Sequence, residues 1–189
     1  MSEVAGGKEF VTTPAFREIL DAQDGQVIDA AEYGRRMGWG QRPALLVIDG
    51  TYGFCGDPAD DLLDAIGRQR RSCGARAWAA VDRMTKLIAA ARESATPVIY
   101  SVMEDPSSQE CEPGLWARKN RRSGEPPIAG VDVSLDNVVV EQIAPRGDER
   151  VFSKNKPSFS FGTGLLPYLI TPGVDSLILR GGATSGWVR

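Results

Sequence analysis

Continuous apolar runs along the chain predict the strands of a parallel sheet. Four segments have the length and the apolar centre of a strand: Ala44–Ile48, Val98–Val102, Arg150–Lys154 and Val174–Leu179. Because Ala44–Ile48 lacks the alternation of a half-exposed strand, we predict that it is buried on both faces. Val98–Val102 and Arg150–Lys154 are predicted to be buried strands as well, and Val174–Leu179 is predicted to hold a fourth strand. The shorter apolar stretch Val138–Ile143 predicts an edge strand or part of a connection.

Apolar residues that recur three or four positions apart predict the helices. One helix is predicted over residues 74–94. Its apolar side chains fall on one face: Ala77, Val81, Met84, Ile88 and Ala91. A short helix is predicted over Gly164–Leu169, and two helical stretches over Pro14–Asp24 and Val27–Met37. Residues 50–60 and the long segment 104–135, which is rich in Pro, Gly, Ser and charge, are predicted to be loops.

The order of these elements predicts the fold class. Strands alternate with helices, and right-handed crossovers then give an open, mostly parallel α/β sheet with helices on both faces, a Rossmann-like three-layer arrangement. The length of 189 residues suits one domain. We expect a flexible tail over residues 1–12 and a domain over residues 13–189 with a helical extension at its N-terminus. In such sheets the functional site lies outside the carboxyl ends of the strands.

Composition narrows the chemistry that this site can perform. The sequence contains no His, which excludes Ser-His-Asp and Cys-His catalysis and His-ligated zinc. Cys55, Cys73 and Cys111 have no metal-ligand spacing, so we expect free thiols and no metal site. The net charge of -3 argues against a nucleic-acid partner, and no apolar run reaches the roughly 20 residues of a membrane span. Since no signal-peptide pattern is present, the expected location is cytoplasmic.

Three features follow the predicted strands at the carboxyl edge of the sheet: Asp49, Lys154 and the turn 181–187. Taken singly, Asp49 is interpretable as a turn carboxylate and Lys154 as an exposed lysine. At neighbouring strand ends the two would form a buried ion pair, which often marks a functional site. The small residues of the turn suit a nucleophile elbow, whose backbone N–H groups would point at an oxyanion. The alternative is a plain glycine-rich turn with a packed indole at Trp187.

Three ordered motifs resemble the isochorismatase-like cysteine hydrolases. Residues 42–49 (RPALLVID) resemble the first strand and the catalytic Asp of that family. Residues 154–163 (KNKPSFSFGT) resemble its K-x-x-x-S-x-F-x-G-T segment, with Ser160 in the place of Phe. Residues 181–189 (GGATSGWVR) resemble its G-x-A-T-x-G-C-V-R turn, with Trp187 in the place of Cys.

The resemblance covers roughly residues 26–189. Within it, residues 33–40 (YGRRMGWG) and 114–116 (GLW) look like the N-carbamoylsarcosine amidohydrolase subgroup of the family. In this family a Cys thiolate attacks an amide carbonyl and ammonia leaves, after which water releases the acid from the acyl-enzyme. The resemblance therefore implies a small-molecule amide substrate, no cofactor and a homo-oligomeric assembly.

The resemblance also assigns roles to particular residues. Asp49 corresponds to the general acid and base of the family, and Lys154 to its cationic partner. The backbone N–H groups of Ala183 and Trp187 correspond to the oxyanion hole. A cis peptide bond of the family corresponds to the bond between Gly182 and Ala183.

Two departures bear on the implied activity. Trp187 stands where the family has its nucleophilic Cys, and an indole is neither an acid, a base nor a nucleophile. The chain stops at Arg189, whereas the resemblance implies a further helix and strands, so we expect a fold that is truncated at its C-terminus. Cys55 is the cysteine near a strand end, either with a minor catalytic part or as a small packed side chain. Phe54 and Trp116 are predicted to shape a substrate pocket, or to pack under the long loop.

At the level of the family, the predicted function is hydrolysis of a C–N bond in small linear amides or N-carbamoyl compounds, with release of ammonia. Trp187 raises two alternatives. One is a catalytically dead pseudoenzyme that still binds a small ligand. The other is a structural subunit that assembles with intact paralogues.

Overall fold

The computed structural model describes residues 18–33, 38–104 and 134–183, together with the single residues 115, 186 and 188. The chain divides into two compact units, Met1–Trp39 and Gly40–Arg189. The tail predicted over residues 1–12, and with it the boundary at residue 12, lies outside the described residues.

Helix α1 (Ala22–Ala30) belongs to the first unit. It begins after Asp21, whose carboxylate accepts a hydrogen bond of 2.7 Å from the N–H of Asp24 and so caps the first turn. The break predicted between Asp24 and Val27 is wrong, because the helix continues through Gly25 at a cost of only about 1 kcal/mol. The outer parts of the two predicted stretches, residues 14–17 and 34–37, lie outside the described residues.

The second unit is built on a parallel sheet. Its described residues form four strands: β1 (Pro43–Ile48), β2 (Val98–Met103), β3 (Arg150–Lys154) and β4 (Ser176–Gly181). The strand order is β3-β2-β1-β4, and each neighbouring pair is parallel. The predicted open parallel α/β sheet is therefore confirmed.

The inner and outer strands differ in burial. β1 and most of β2 are buried, as their apolar runs predict. The predicted burial of β3 is wrong, because its Val151 is 44% exposed. On β4, the other outer strand, Leu177 and Leu179 are also 44% exposed. Each outer strand has a partner on one side only in the described part of the sheet, so an apolar composition does not bury it.

Helices cover both faces of the sheet. Three helices follow β1: α2 (Tyr52–Cys55), α3 (Leu62–Arg68) and α4 (Ala75–Glu93). On one face of the sheet, α4 packs its buried stripe against β1 and β2. The stripe consists of Val81, Met84, Ile88 and Ala91. On the other face, α5 (Leu165–Ile170) packs Leu165 and Leu169 against the opposite side of β1. Burial of each large apolar side chain stabilises the fold by about 1.5–3 kcal/mol.

Residues 50–73 contain more helix than the sequence predicts. The loop predicted over residues 50–60 contains the one-turn helix α2, and α3 was not predicted at all. Asp61 caps α3, because its carboxylate accepts the N–H groups of Leu63 at 2.9 Å and Asp64 at 3.0 Å. Asp61 is a clear capping signal, but the helix after it is too short to show an apolar repeat.

The stretch Val138–Ile143 is a connection. Val139 makes an isolated antiparallel bridge to Thr51, and Glu141–Ile143 is a 3₁₀ turn. The N–H of Val140 donates to the carbonyl of Gly50 at 3.0 Å, so this segment is hydrogen-bonded to the residues that follow β1. Among the described helices, none is long and apolar enough to cross a membrane.

Candidate active site

Asp49 directly follows β1, and the backbone bends sharply at this residue. Its φ of 52° lies in the left-handed region that residues other than glycine seldom adopt. A residue in this region is strained by about 1–3 kcal/mol and keeps its conformation only where its surroundings enforce it, commonly at functional sites. One enforcing contact is the hydrogen bond of 3.1 Å from the Asp49 N–H to the Ser101 carbonyl on β2.

Lys154 meets Asp49 at the carboxyl edge of the sheet. The Lys154 Nζ donates a hydrogen bond of 2.6 Å to Asp49 Oδ2, and the two side chains are 0% and 2% exposed. Lys154 ends β3 and Asp49 follows β1, so the contact crosses the intervening strand β2. The buried ion pair that the sequence predicts is confirmed, although the two strands are not direct neighbours.

The residue between them, Ser101, was missed in the sequence. It lies on β2 opposite Ile48 and is fully buried. Its hydroxyl donates a hydrogen bond of 2.8 Å to Asp49 Oδ1. The available signal was a single hydroxyl in an otherwise apolar run, next to the carboxyl end of a strand. Lys154 Nζ also lies 3.6 Å from the Met103 sulfur, another contact from β2.

Burial shifts both ionisable groups towards their neutral forms. Removal from water raises the pKa of Asp49, although Lys154, the Ser101 hydroxyl and the charge of Arg71 act to lower it. Removal from water also lowers the pKa of Lys154, against the raising effect of Asp49. A proton therefore passes between these two groups more easily than between an exposed carboxylate and an exposed ammonium. Perturbed groups of this kind are typical of acid–base catalysts.

The turn after β4 begins beside this pair. Gly181 pairs with Ile48 in the register of β1 and β4. A Cβ at position 181 would lie 2.9 Å from the Ile48 carbonyl oxygen and 2.7 Å from a methyl group of Val188, so only glycine fits. The carbonyl of Ala183 accepts the N–H groups of Gly186 at 3.3 Å and Val188 at 3.2 Å. The chain therefore turns directly after β4, as the small residues of this segment predict.

The prediction of a cis bond in this turn is wrong. The described residues contain no cis peptide bond, and the bond between Gly182 and Ala183 is trans. The trans form of a non-proline peptide is lower in free energy by about 3 kcal/mol, so it is adopted wherever the surroundings do not enforce the other.

Phe54 lies in α2 and is buried, with 5% of its surface exposed. The guanidinium carbon of Arg71 lies 5.7 Å from the centre of its ring. Arg71 is in turn held by Asp136, whose carboxylate it contacts at 2.7 Å. This burial fits the packing alternative for Phe54, and its part in a substrate pocket stays a prediction.

The Cys55 thiol is poorly suited to replace a nucleophile. Burial, and to a smaller extent Cys73, raises the pKa of Cys55 to about 12, so the thiol stays protonated at neutral pH. Cys55 and Cys73 are free, as predicted, and Cys55 is buried as a small apolar side chain. Across the described segments, no three His, Cys, Asp or Glu side chains are grouped as a metal site would require.

Three residues named by the sequence lie outside the described residues: Trp187, Trp116 and Cys111. The predicted contribution of Trp187 to an oxyanion hole and that of Trp116 to a pocket are therefore untested. For the oxyanion hole, the structure describes only Ala183.

An open parallel sheet with helices on both faces, here with a buried ion pair at its carboxyl edge, is an α/β fold of the isochorismatase-like kind. The sequence of residues 43–189 matches the family model of the isochorismatase domain. The chain belongs to this family, as its motifs predict.

Two curated relatives are similar over most of the chain. Maleamate amidohydrolase from Pseudomonas putida is 32% identical over 176 residues, which cover 90% of this chain and 73% of the relative. N-carbamoylsarcosine amidase from Arthrobacter sp is 29% identical over 164 residues, which cover 83% of this chain and 55% of the relative. The chain thus spans about three quarters of the length of the first relative and about half of the second.

A solved structure supports the same fold. N-carbamoylsarcosine amidase from Thermoplasma acidophilum superposes with a TM-score of 0.57 at 25% sequence identity. The superposition covers 79% of this chain and 72% of that protein.

Proposed function

We propose that this chain carries an amidohydrolase site for C–N bonds of small linear amides or N-carbamoyl compounds, with release of ammonia. The observation that carries the proposal is the buried 2.6 Å contact between Lys154 and Asp49 at the carboxyl edge of the sheet. The names of the two relatives support the substrate class, because one is a maleamate amidohydrolase and the other an N-carbamoylsarcosine amidase.

Asp49 is the proposed general acid and base. Hydrolysis of an amide needs one proton delivered to the leaving nitrogen and one proton taken from the attacking water. A carboxyl group with a raised pKa beside a lysine with a lowered pKa suits both transfers, because either group can release or accept a proton nearer to neutral pH than an exposed counterpart. Lys154 is the proposed cationic partner, which stabilises the carboxylate after each proton has left.

The proposed reaction has two steps. With a Cys thiolate at position 187, as in the family motif, the sulfur would add to the amide carbonyl carbon and the C–N bond would break, while protonated Asp49 gives its proton to the nitrogen and ammonia leaves. Water would then attack the resulting thioester, the Asp49 carboxylate would take a proton from that water, and the C–S bond would break to release the acid and restore the thiolate. The backbone N–H groups of Ala183 and Trp187 are the proposed donors to the oxyanion of both steps. Phe54 and Trp116 are proposed walls of the substrate pocket.

A binding function is the second candidate, and the residue at position 187 favours it. The family motif has Cys at this position and this chain has Trp, so the thiolate of the first step is missing. A pseudoenzyme would keep the acid–base pair and a pocket for a small amide or carboxylate without turning it over.

Ammonia release separates the two candidates. The purified chain and its Trp187→Cys variant are incubated with N-carbamoyl amino acids, maleamate and nicotinamide, and free ammonia is measured. Release by the unchanged chain supports the amidohydrolase. Release by the variant alone supports the pseudoenzyme, with an acid–base pair that still works once a thiol is restored. Ammonia from neither protein contradicts the proposed amidohydrolase.

Ligand binding is measured on the unchanged chain in parallel. The pseudoenzyme predicts that maleamate or N-carbamoylsarcosine raises the melting temperature, and raises it further as the ligand concentration increases, while the ligand is recovered intact. An unchanged melting temperature at millimolar ligand contradicts it. The homo-oligomeric assembly, the structural-subunit alternative and the cytoplasmic location stay predictions.

A further inference from the structure

Ser101 contacts Asp49 at two points. Its hydroxyl donates to Asp49 Oδ1 at 2.8 Å, and its carbonyl accepts the Asp49 N–H at 3.1 Å. Ser101 is fully buried and lies on β2, between the strands that carry Asp49 and Lys154. The serine therefore holds both the strained backbone of Asp49 and one of its two carboxylate oxygens.

We propose that Ser101 is a positioning residue, which holds Asp49 Oδ1 so that Oδ2 is the oxygen that exchanges a proton with Lys154 and the substrate. The inference rests on the proposed function, because it assigns a direction to the acid–base chemistry of Asp49.

The geometry gives each carboxylate oxygen a different partner. Oδ1 accepts a hydrogen bond from the neutral Ser101 hydroxyl, which cannot give up its proton at physiological pH. Oδ2 accepts a hydrogen bond from the Lys154 ammonium, which can. Rotation of the carboxylate out of this orientation would break both hydrogen bonds. In a dry site this loss is not compensated by water, so the carboxylate is held in one orientation.

A purely structural serine would also need a partner for its buried hydroxyl. The two roles differ in what they do to Asp49. A positioning serine stabilises the charged carboxylate, and its removal makes Asp49 harder to ionise. A structural serine affects the stability of the fold and leaves the titration of Asp49 where it was.

The test is a titration of Asp49 by carboxyl ¹³C NMR on the full chain, with the signal assigned by its loss in Asp49→Asn. We expect the midpoint to move to higher pH in Ser101→Ala and to return towards its original position in Ser101→Thr, which keeps the hydroxyl. Ser72→Ala is the matched control. Ser72 is also buried, and its hydroxyl has no hydrogen-bond partner among the described residues, so the midpoint should not move.

An unchanged midpoint in Ser101→Ala, or an equal shift in Ser72→Ala, would overturn the assignment. If Ser101→Ala does not fold, Ser101→Cys takes its place, because a thiol of similar size is a weaker donor and should give a smaller shift in the same direction. The titration does not depend on turnover. A shifted midpoint without ammonia release would therefore uphold the positioning role while the proposed activity failed.

Discussion

Strand β3 lies between two ion pairs. Just before its first residue, Glu149 pairs with Arg92 of α4 through two contacts of 2.8 Å, and the Arg92 and Glu149 side chains are 20% and 13% exposed. At its last residue, Lys154 pairs with Asp49 at 2.6 Å, and neither side chain is more than 2% exposed. Strand β3 is therefore flanked by a partly exposed ion pair, Arg92–Glu149, and by a fully buried one, Lys154–Asp49. We call them the wet pair and the dry pair.

The pKa values of the two pairs move in opposite directions. Burial acts to raise the pKa of Glu149, but hydrogen bonds from Arg92 and from the N–H of Arg146 outweigh it, and the net pKa is lowered. The hydrogen bond to Glu149 raises the pKa of Arg92. At the other end, burial favours neutral Asp49 and neutral Lys154. The wet pair thus stabilises the fold as two charges, whereas the dry pair is held where a proton moves readily.

The dry pair should give the larger loss of stability when one partner is removed. Lys154→Met leaves Asp49 buried without a cation, and we expect the free energy of unfolding to fall by about 3–5 kcal/mol at pH 8. In the folded protein the pKa of Asp49 is raised above its ordinary 3.8. The stability that this shift contributes is present below pH 3.8, where Asp49 is neutral, and is lost as the pH rises through the folded pKa. Because a neutral Asp49 needs no cation, the stability lost in Lys154→Met should be smaller in acid than at pH 8. Urea denaturation at pH 4.5 and pH 8 measures it.

The double variant Asp49→Asn with Lys154→Met is the matched control. It removes both charges at similar volume, so we expect it to recover most of the stability that Lys154→Met loses. A double variant as unstable as the single one would mean that packing, rather than an uncompensated charge, causes the loss.

The wet pair should give a smaller loss with the opposite pH dependence. Glu149→Gln is expected to lower the free energy of unfolding by about 1–2 kcal/mol at pH 7. The pKa of Glu149 is lowered from 4.5, so the stability it contributes is present above that value and is lost as the pH falls through the folded pKa. The variant should therefore lose less stability in acid than the unchanged protein. Glu141→Gln changes an exposed glutamate, so its free energy of unfolding should equal that of the unchanged protein at pH 7 and in acid.

Tyr100 should give the smallest loss. Its hydroxyl accepts a hydrogen bond of 3.2 Å from Arg92, and burial raises its pKa to about 12, so it stays neutral from pH 5 to pH 9. Tyr100→Phe is expected to cost about 0.5–1 kcal/mol, equally at both ends of that range. Thermal unfolding measures this loss. A loss as large as that of Glu149→Gln would show that the Tyr100 hydroxyl, and not the Glu149 carboxylate, makes the main stabilising contact with Arg92.

Features that depend on apolar pattern were predictable from the sequence. The apolar runs of β1 and β2 and the helical repeat of α4 predict their elements within a residue or two. The meeting of Asp49 with Lys154 was also predictable, because the carboxyl ends of parallel strands share one edge of a sheet.

Features that depend on three-dimensional neighbours were not predictable. An apolar run does not reveal whether its strand is central or outer, so the exposure of β3 was missed. The left-handed backbone of Asp49 leaves no mark in the sequence, because the residue is an ordinary aspartate. Ser101 was missed for a related reason, since its importance comes from the carboxylate it faces across the sheet.

A single rate ratio decides whether Asp49 is the acid–base group of an amidohydrolase. The initial rate of ammonia release from maleamate and N-carbamoylsarcosine is compared between Trp187→Cys and the same variant carrying Asp49→Asn. If Asp49 is the general acid and base, the variant that also carries Asp49→Asn should release ammonia at least about 100-fold more slowly. Asp148→Asn, at an exposed carboxylate in the same background, should leave the rate unchanged. Equal rates with and without Asp49 would contradict the role proposed for the buried pair.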